Sequence, residues 1–214
     1  MNHFMKHVTM GAVLGLAVMV GGIGQAQATS LVNNFGLASP TSTITFDEIV
    51  VPQNTVVDIQ YAGLGVTFTT GLRYDTQGAV AFPGITGHYL GNNDGVNLSS
   101  IVNPFSIFFG PAVTAAAFGM ATNPTTTLFE ALLGGSLVES FSVATTFDNA
   151  AQSFYGFTGI MFDEIKITAR GTGVETAALI DNIQFNPVPE PSTIFLFGSG
   201  LAGLVAWRVR KHHA

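Results

Sequence analysis

The sequence predicts an all-β fold, an antiparallel β-sandwich of jelly-roll type, and three observations support it. Segments that alternate apolar and polar residues recur through the middle of the 214-residue chain, which is the pattern of half-buried strands. Clusters of glycine, asparagine and proline separate these segments and favour turns. No segment keeps the period of an amphipathic helix. About eight to eleven short strands with such spacing are typical of a sandwich.

The strands follow from the alternation, taken in chain order. They are expected at residues 43–46, 65–69, 101–109, 165–168 and 180–185, in each of which apolar residues recur at every second or third position. Residues 112–121 are rich in alanine, but Gly119 and neighbouring β-branched residues favour a strand there as well. Turns are expected at residues 91–95, 123–124 and 134–135.

One predicted hairpin contains a conflict of charge. If Gly134 and Gly135 form a two-residue turn, Glu130 falls opposite Glu139. Like charges directly opposed on paired strands destabilise the pair by up to about 1 kcal/mol. Either the loop is longer and the register is shifted, or both side chains face open solvent.

Composition excludes several classes of protein. The chain has no cysteine, which rules out disulfides, cysteine-ligated zinc, iron–sulfur clusters and thiol nucleophiles. Charged residues make up 9% of the chain and the formal net charge is −6, so we expect no nucleic-acid partner. The segment 29–188 holds three basic and twelve acidic residues, a formal charge of −9. The hydrophobic fraction of 47% indicates that part of the chain meets lipid.

The N-terminus has the features of an export signal, predicted to be a helix over residues 1–28. Lys6 supplies a positive charge, residues 10–23 form an apolar run, and Ala26 and Ala28 give the small-x-small pattern of a cleavage site. The apolar run is about 21 Å long as a helix, short of the roughly 30 Å of a bilayer core. Cleavage after Ala28 is therefore predicted; a retained membrane helix is the alternative.

The C-terminus combines three features in order, over residues 188–214. Pro189, Glu190 and Pro191 come first, and their prolines keep the chain extended and accessible. An apolar run over residues 193–207 predicts a single transmembrane helix of near-minimal length. A basic cluster follows and would hold its end in the cytoplasm by the positive-inside rule. The cluster consists of Arg208, Arg210 and Lys211. An ordinary single-span anchor is the alternative.

These three features together resemble a PEP-CTERM sorting signal. The resemblance implies recognition of Pro189, Glu190 and Pro191 by an exosortase, a membrane-embedded processing enzyme, with the basic residues as the membrane stop. It also implies export through the inner membrane, C-terminal anchoring there, and then transfer to the cell envelope, the cell surface or the outside. Such proteins belong to cells that make extracellular polysaccharide. Residues 29–187 are then the exported β-sandwich domain.

A second resemblance concerns this middle domain. Three short motifs are similar to the sandwich domains that often precede PEP-CTERM tails. They are Phe-Asp-Glu at 46–48, Gln-Tyr at 60–61 before the strand at 65–68, and Ile-Asp-Asn-Ile at 180–183. Related sandwiches in carbohydrate-binding modules hold a structural calcium ion between the first and last strands. The resemblance implies Asp47, Glu48 and Asp181 as candidate calcium ligands. The alternative is that they are strand-end acids, with Asp181 or Asn182 making a local backbone hydrogen bond. Residues 162–165 repeat residues 46–49, which we interpret as chance or shared strand-turn usage rather than duplication.

Nothing in the sequence predicts an enzyme. His88 is the sole histidine between residues 29 and 188, and no Gly-x-Ser-x-Gly sequence accompanies it. Aromatic side chains could stack on sugars, and Tyr74 and Tyr89 lie nearest to polar neighbours. Alternatively, these tyrosines, with Tyr61 and Tyr155, are core-edge residues with tethered hydroxyls.

The function expected from the sequence is therefore structural or adhesive, in association with exopolysaccharide and the membrane. A calcium-dependent carbohydrate-binding module is the first alternative, and a glycan hydrolase is the second. A hydrolase needs only two suitably spaced carboxylates, and the twelve acids of the middle segment offer many pairs.

Overall fold

The computed structural model of the protein describes residues 29–76, 81–93 and 100–188. This part of the chain contains eleven strands and two short 3-10 turns, at Ala62–Leu64 and Gly173–Thr176. The predicted signal helix and the predicted C-terminal helix lie outside the described residues. The strands are β1 (Thr29–Asn33), β2 (Ser42–Ile44), β3 (Val56–Val57), β4 (Val66–Phe68), β5 (Leu72–Thr76), β6 (His88–Gly91), β7 (Phe105–Thr122), β8 (Thr125–Leu133), β9 (Ser136–Thr145), β10 (Phe154–Ala169) and β11 (Ala178–Pro187).

All described strand pairs are antiparallel, which confirms the all-β, antiparallel part of the predicted fold class. The strands form one sheet in the order β3-β5-β6-β11-β7-β10-β8-β9. Three further strands branch from strands within this order: β1 pairs with β10, β2 with β11 and β4 with β7. The last strand, β11, ends at Pro187, whose missing N–H group cannot continue a ladder.

The two longest strands divide this sheet into two groups. β7 has 18 residues and β10 has 16, and the register between them breaks between Thr158 and Glu164. Before the break, β10 pairs with β1; after it, β10 pairs with β8. Likewise β7 pairs with β4 near its start and with β11 towards its end. Irregularities of this kind bend a strand. β7 and β10 therefore each take part in two groups of strands, one that includes β1 and β11 and one that includes β4 and β8.

The core joins these two groups through aromatic rings. Phe129 on β8 stacks on Tyr155 of β10, with ring centroids 5.1 Å apart. Phe141 on β9 meets Phe157 of β10 edge to face at 5.2 Å. Because β8 pairs with the far half of β10, these contacts cross from one group of strands to the other. The arrangement is sandwich-like, with a core rich in phenylalanine.

The alanine-rich segment is a strand, as predicted, and its small residues allow close backbone approach. A Cβ atom on Gly119 would lie 2.0 Å from the carbonyl oxygen of Gly84, and one on Gly156 would lie 2.0 Å from that of Ala116. Real Cβ atoms are never this close to a carbonyl oxygen. Glycine at these two positions is therefore required by packing against neighbouring backbone.

The hairpin between β8 and β9 resolves the predicted conflict of charge. Gly134 and Gly135 have φ angles of 55° and 78° and form the expected two-residue turn, with the residues on either side of it paired. A bulge at Val138 then shifts the register, so that Glu130 lies opposite Ser140 rather than Glu139. Glu130 and Glu139 therefore do not oppose each other: the register is shifted, by a bulge rather than by a longer loop. Glu130 instead forms an ion pair of 3.3 Å with Lys166 on β10.

Candidate functional site

The candidate site in the described domain lies where three segments meet. These are the turn that follows β2, the segment 84–88 that leads into β6, and the middle of β11. We call it the Asp47–His88 cluster. Its members are Asp47, Glu48, Thr86, His88 and Asp181.

Phe46, which directly precedes Asp47 of the cluster, has a left-handed backbone conformation. Phe46 is fully buried but has a φ of 62°, which is rare for a bulky residue and costs on the order of 1–3 kcal/mol. Its carbonyl oxygen accepts hydrogen bonds from the hydroxyls of Tyr61 and Tyr74, both at 3.2 Å. The turn leaves Asp47 and Glu48 exposed beside a fully buried ring. The matching tetrapeptide at 162–165 lies within β10, so the repeat has no structural counterpart.

The two exposed acids have different partners. Glu48 accepts hydrogen bonds from the backbone N–H of Thr45 at 2.9 Å and from its hydroxyl at 3.0 Å, which closes the turn on itself. Asp47 contacts Nδ1 of His88 across to β6. The His88 ring also stacks on Tyr74, with centroids 5.0 Å apart. His88 is thus fixed by a carboxylate on one side and a buried ring on the other.

Asp181 is the buried acid of the cluster. Its side chain accepts hydrogen bonds from the backbone N–H of Thr86 at 2.8 Å and from that of Asn182 at 2.6 Å. The Thr86 hydroxyl and the Asn182 side-chain amide complete the set, at 3.4 and 3.0 Å. Burial raises the pKa of Asp181 to about 7, with a smaller contribution from the negative charge of Asp47, although the hydrogen bonds act in the opposite direction.

The structure brings two of the three predicted calcium ligands together. Asp47 and Asp181 both contact the segment 84–88, and the charge of Asp47 reaches Asp181. Glu48 binds its own turn instead. In the described ranges, no three histidine, aspartate or glutamate side chains are grouped so that they could hold a metal ion. Calcium binding stays a prediction.

The tyrosine patch expected from the sequence is divided between two faces of a hairpin. In the β5–β6 register Tyr74 pairs with Leu90 and Asp75 with Tyr89, so that Tyr74 and Tyr89 point to opposite sides. Tyr74 is 1% exposed and is a core side chain rather than an exposed platform. Tyr89 is half-buried and lies opposite Asp75 of β5. Burial, together with this neighbouring carboxylate, raises the pKa of Tyr89 to about 12.

The other two tyrosines have tethered hydroxyls. The Tyr61 hydroxyl also donates to the Ile49 carbonyl at 3.0 Å, and that of Tyr155 donates to the Gln152 carbonyl at 2.5 Å. Both rings are buried. Burial is the main cause that raises the pKa of Tyr155 to about 12 and the pKa of Tyr61 further above its ordinary value.

An apolar cavity of about 370 Å³ lies at the end of β7, apart from the residues singled out in the sequence. The rings of Phe82 and Phe147 meet edge to face at its wall, with centroids 6.3 Å apart. Its polar residues Thr122 and Asn123 are already bonded to Thr145 and to the Val174 carbonyl. The cavity is therefore lined by apolar groups, and the sequence pattern contains no signal for it.

Comparison with known families identifies the C-terminal segment. Residues 187–211 match the family model of the PEP-CTERM protein-sorting motif, so the predicted resemblance is confirmed and the chain carries this sorting signal. The match includes the Pro-Glu-Pro residues 189–191 and the basic residues up to Lys211, all of which lie outside the described residues, as do Ala26 and Ala28. No curated protein matches the sequence. None of the helices described is long and apolar enough to cross a bilayer.

Proposed function

We propose that this chain is a surface or matrix protein of the cell envelope, exported and then processed by exosortase at its PEP-CTERM signal. The observation that carries the proposal is the match of residues 187–211 to the sorting motif, which marks an exported protein that exosortase processes. The domain over residues 29–187 is the exported part. Its role is structural or adhesive, in association with exopolysaccharide.

Two properties of the domain support this role. It is all-β and antiparallel, and we propose that its two groups of strands form a jelly-roll type of sandwich. Its formal charge of −9 suits a solvated exterior location. The proposed role involves no catalysis, so turnover of polysaccharide by the purified domain would contradict it.

The sorting step is tested by changing residues 189–191 from Pro-Glu-Pro to three alanines. We expect the tail to stay uncut, because the change removes the Pro-Glu-Pro part of the sorting motif that exosortase is proposed to recognise. The intact mass of the protein from a host that contains exosortase then retains the mass of residues up to Ala214. The same change also removes Glu190, the acid of the motif.

The matched control is Glu175→Ala, which removes one exposed acid outside the motif. This control should be processed as the wild type is, and a host without exosortase should leave every variant uncut. Normal processing of the triple variant in the exosortase host would contradict the proposal.

Calcium-dependent carbohydrate binding is the second candidate, and one observation favours it. Tyr89, Asp75 and Arg73 lie on the outward side of the β5–β6 hairpin, where alternation places them on one face. A partly exposed ring beside polar groups is the usual composition of a sugar site. In the presence of calcium, binding to a glycan array should fall with Tyr89→Ala and persist with Tyr89→Phe. In the presence of a chelator, the wild type should not bind. Equal binding by both variants would exclude this hairpin face.

A further inference from the structure

The edge strand β9 is unusual in its length and composition. It ends the sheet order and pairs with β8 and with no other strand among those described. It has ten residues, whereas β1 to β4 have five or fewer. Its sequence contains no lysine or proline and a single charge, at Glu139. The bulge at Val138 and the Glu139 carboxylate, which accepts a hydrogen bond from the backbone N–H of Ser140 at 2.9 Å, protect only the first part of this edge. Long edges that lack such protection over the rest of their length tend to pair with another strand.

The side chains of β9 are divided between two faces. Phe141 and Val143 point towards the core, and Phe141 stacks on Phe129 with centroids 5.0 Å apart. Both side chains remain partly exposed, because no further strand covers their outer side. Ser140, Ser142 and Ala144 are exposed on the outer face. A strand added at this edge would complete the cover of Phe141 and Val143.

We propose that β9 pairs antiparallel with β9 of a second copy of this chain, with Ser142 opposite Ser142 of that copy. Antiparallel pairing of one strand with itself is a two-fold, isologous contact, which closes as a dimer. Ser142 then lies on the two-fold axis, so Phe141 opposes Val143 of the copy and Ser140 opposes its Ala144.

The register follows from the pattern of charge and side-chain size. Core-facing residues must oppose core-facing residues, since a slip of one position turns every side chain over. Centring on Glu139 opposes two like charges, and centring on Phe141 places Glu139 opposite Val143. Centring on Ser142 places Phe141 opposite Val143 twice and Glu139 opposite Thr145. Aromatic residues opposite β-branched ones are among the favourable cross-strand pairs.

Exposed apolar residues extend this edge. Leu137 is 58% exposed and Val138 is 42% exposed, just before Glu139. In the proposed register the partner strand ends opposite Glu139, so Leu137 and Val138 lie beside residues 146 and 147 of the copy, which directly follow its β9. A second copy therefore pairs the backbone of this edge and covers Phe141 and Val143 without opposing two like charges.

The absence of cysteine from the chain makes the register directly measurable. Ser142→Cys places one thiol opposite its own copy, with Cα atoms about 4.5–5.5 Å apart, which is within the range that a disulfide spans, and we expect a disulfide-linked dimer under mild oxidation. Ser140→Cys is the matched control, because Ser140 and its copy would be about 13 Å apart in this register. Ser140→Cys and Ala144→Cys should each remain uncrosslinked alone and should form a mixed dimer when combined.

A second measurement uses charge at the edge, on protein purified after export. Ser142→Lys opposes two ammonium groups on the axis, so light scattering should show the wild-type dimer weakened at least tenfold. Thr126→Lys is its control, because Thr126 is exposed on the same face of β8 but lies one strand inside the edge. Both positions are exposed, so thermal unfolding measured at a concentration low enough for all proteins to be monomeric should be unchanged in each variant.

Other results would overturn the proposal. A wild-type protein that stays monomeric at every concentration excludes self-pairing at β9. A dimer that Ser142→Lys does not weaken uses another surface. Crosslinking of Ser140→Cys as strong as that of Ser142→Cys excludes this register, and pairing of β9 solely with a different protein excludes the second copy as its occupant. None of these outcomes depends on processing of the C-terminal signal.

Discussion

The carbonyl oxygen of Phe46 connects the core to the Asp47–His88 cluster. Two buried tyrosine hydroxyls, from Tyr61 and Tyr74, donate to this one acceptor. The bonds hold Phe46 in its left-handed angle, and that angle directs Asp47 towards His88. A strained angle persists only where its surroundings determine it. We therefore expect the two hydroxyls to stabilise the Phe46 conformation jointly.

We expect Tyr74→Phe to lower the free energy of unfolding by about 1 kcal/mol, since Tyr61 still serves the Phe46 carbonyl. Tyr61→Phe should cost about 1–2 kcal/mol, because its hydroxyl also binds the Ile49 carbonyl. The double variant leaves the buried Phe46 oxygen without either hydroxyl and should cost more than the sum. Urea unfolding measures all three. Tyr155→Phe combined with Tyr61→Phe is the control, for which additive effects are expected. Additive effects of Tyr61→Phe and Tyr74→Phe would contradict their shared role at the Phe46 carbonyl.

Asp181 should give stability a specific dependence on pH. Its pKa is about 7 in the folded protein, against an ordinary value of 3.8. Between these values the folded state binds more protons, so the free energy of unfolding falls as pH rises from about 4 to 7, by at most about 1.4 kcal/mol per pH unit. The contribution is complete below pH 4 and lost above pH 7.

Asp181→Asn removes this titration while keeping the shape of the side chain. Other titrating groups contribute to both proteins, so the difference between the two stability–pH curves isolates Asp181. Denaturant unfolding from pH 4 to pH 8 measures it. Parallel curves for wild type and variant would show that the pKa of Asp181 is not raised.

The strands of this domain could be predicted from sequence to the extent that their patterns are local. Alternation identified β4, β11 and the start of β7, and the two glycines at 134–135 identified the hairpin. The bulge at Val138 could not be predicted, since the Glu130–Lys166 ion pair that accompanies its register requires β8 to lie beside β10. For the same reason the sequence does not show His88 meeting Asp47, 41 positions earlier.

The turn between β8 and β9 allows a direct test of hairpin chemistry. Gly134 has a positive φ, and a Cβ atom there would meet nothing within 4 Å, so backbone preference alone decides the effect of substitution. Gly134→Asn should stabilise the protein by about 0.5 kcal/mol, because Asn-Gly suits this turn and restricts the unfolded chain. Gly134→Val should cost about 1–2 kcal/mol. Unfolding midpoints in urea report both, and an equal effect of the two would contradict the turn geometry.

Charge is distributed unevenly between the parts of the chain. The domain over 29–188 has a formal charge of −9, while Arg208, Arg210 and Lys211 are concentrated at the C-terminal end. The basic cluster suits a membrane stop, and its position within the matched sorting motif supports that role. Removal of the tail by exosortase, as proposed, would leave a domain whose net charge is strongly negative. The proposed association with exopolysaccharide must therefore operate against negative charge whenever the polymer is acidic.

This charge predicts a preference among polysaccharides, on the premise of the proposed function. The purified domain should be retained by a neutral polymer such as dextran more strongly than by an acidic one such as alginate at low salt, because like charges repel over a Debye length of about 30 Å at 0.01 M. Raising the salt to about 0.15 M shortens this length to about 8 Å and should narrow the difference. Co-sedimentation with each polymer measures retention. Stronger retention by alginate at low salt in the presence of a chelator would contradict the electrostatic argument, and retention by neither polymer would count against the matrix role.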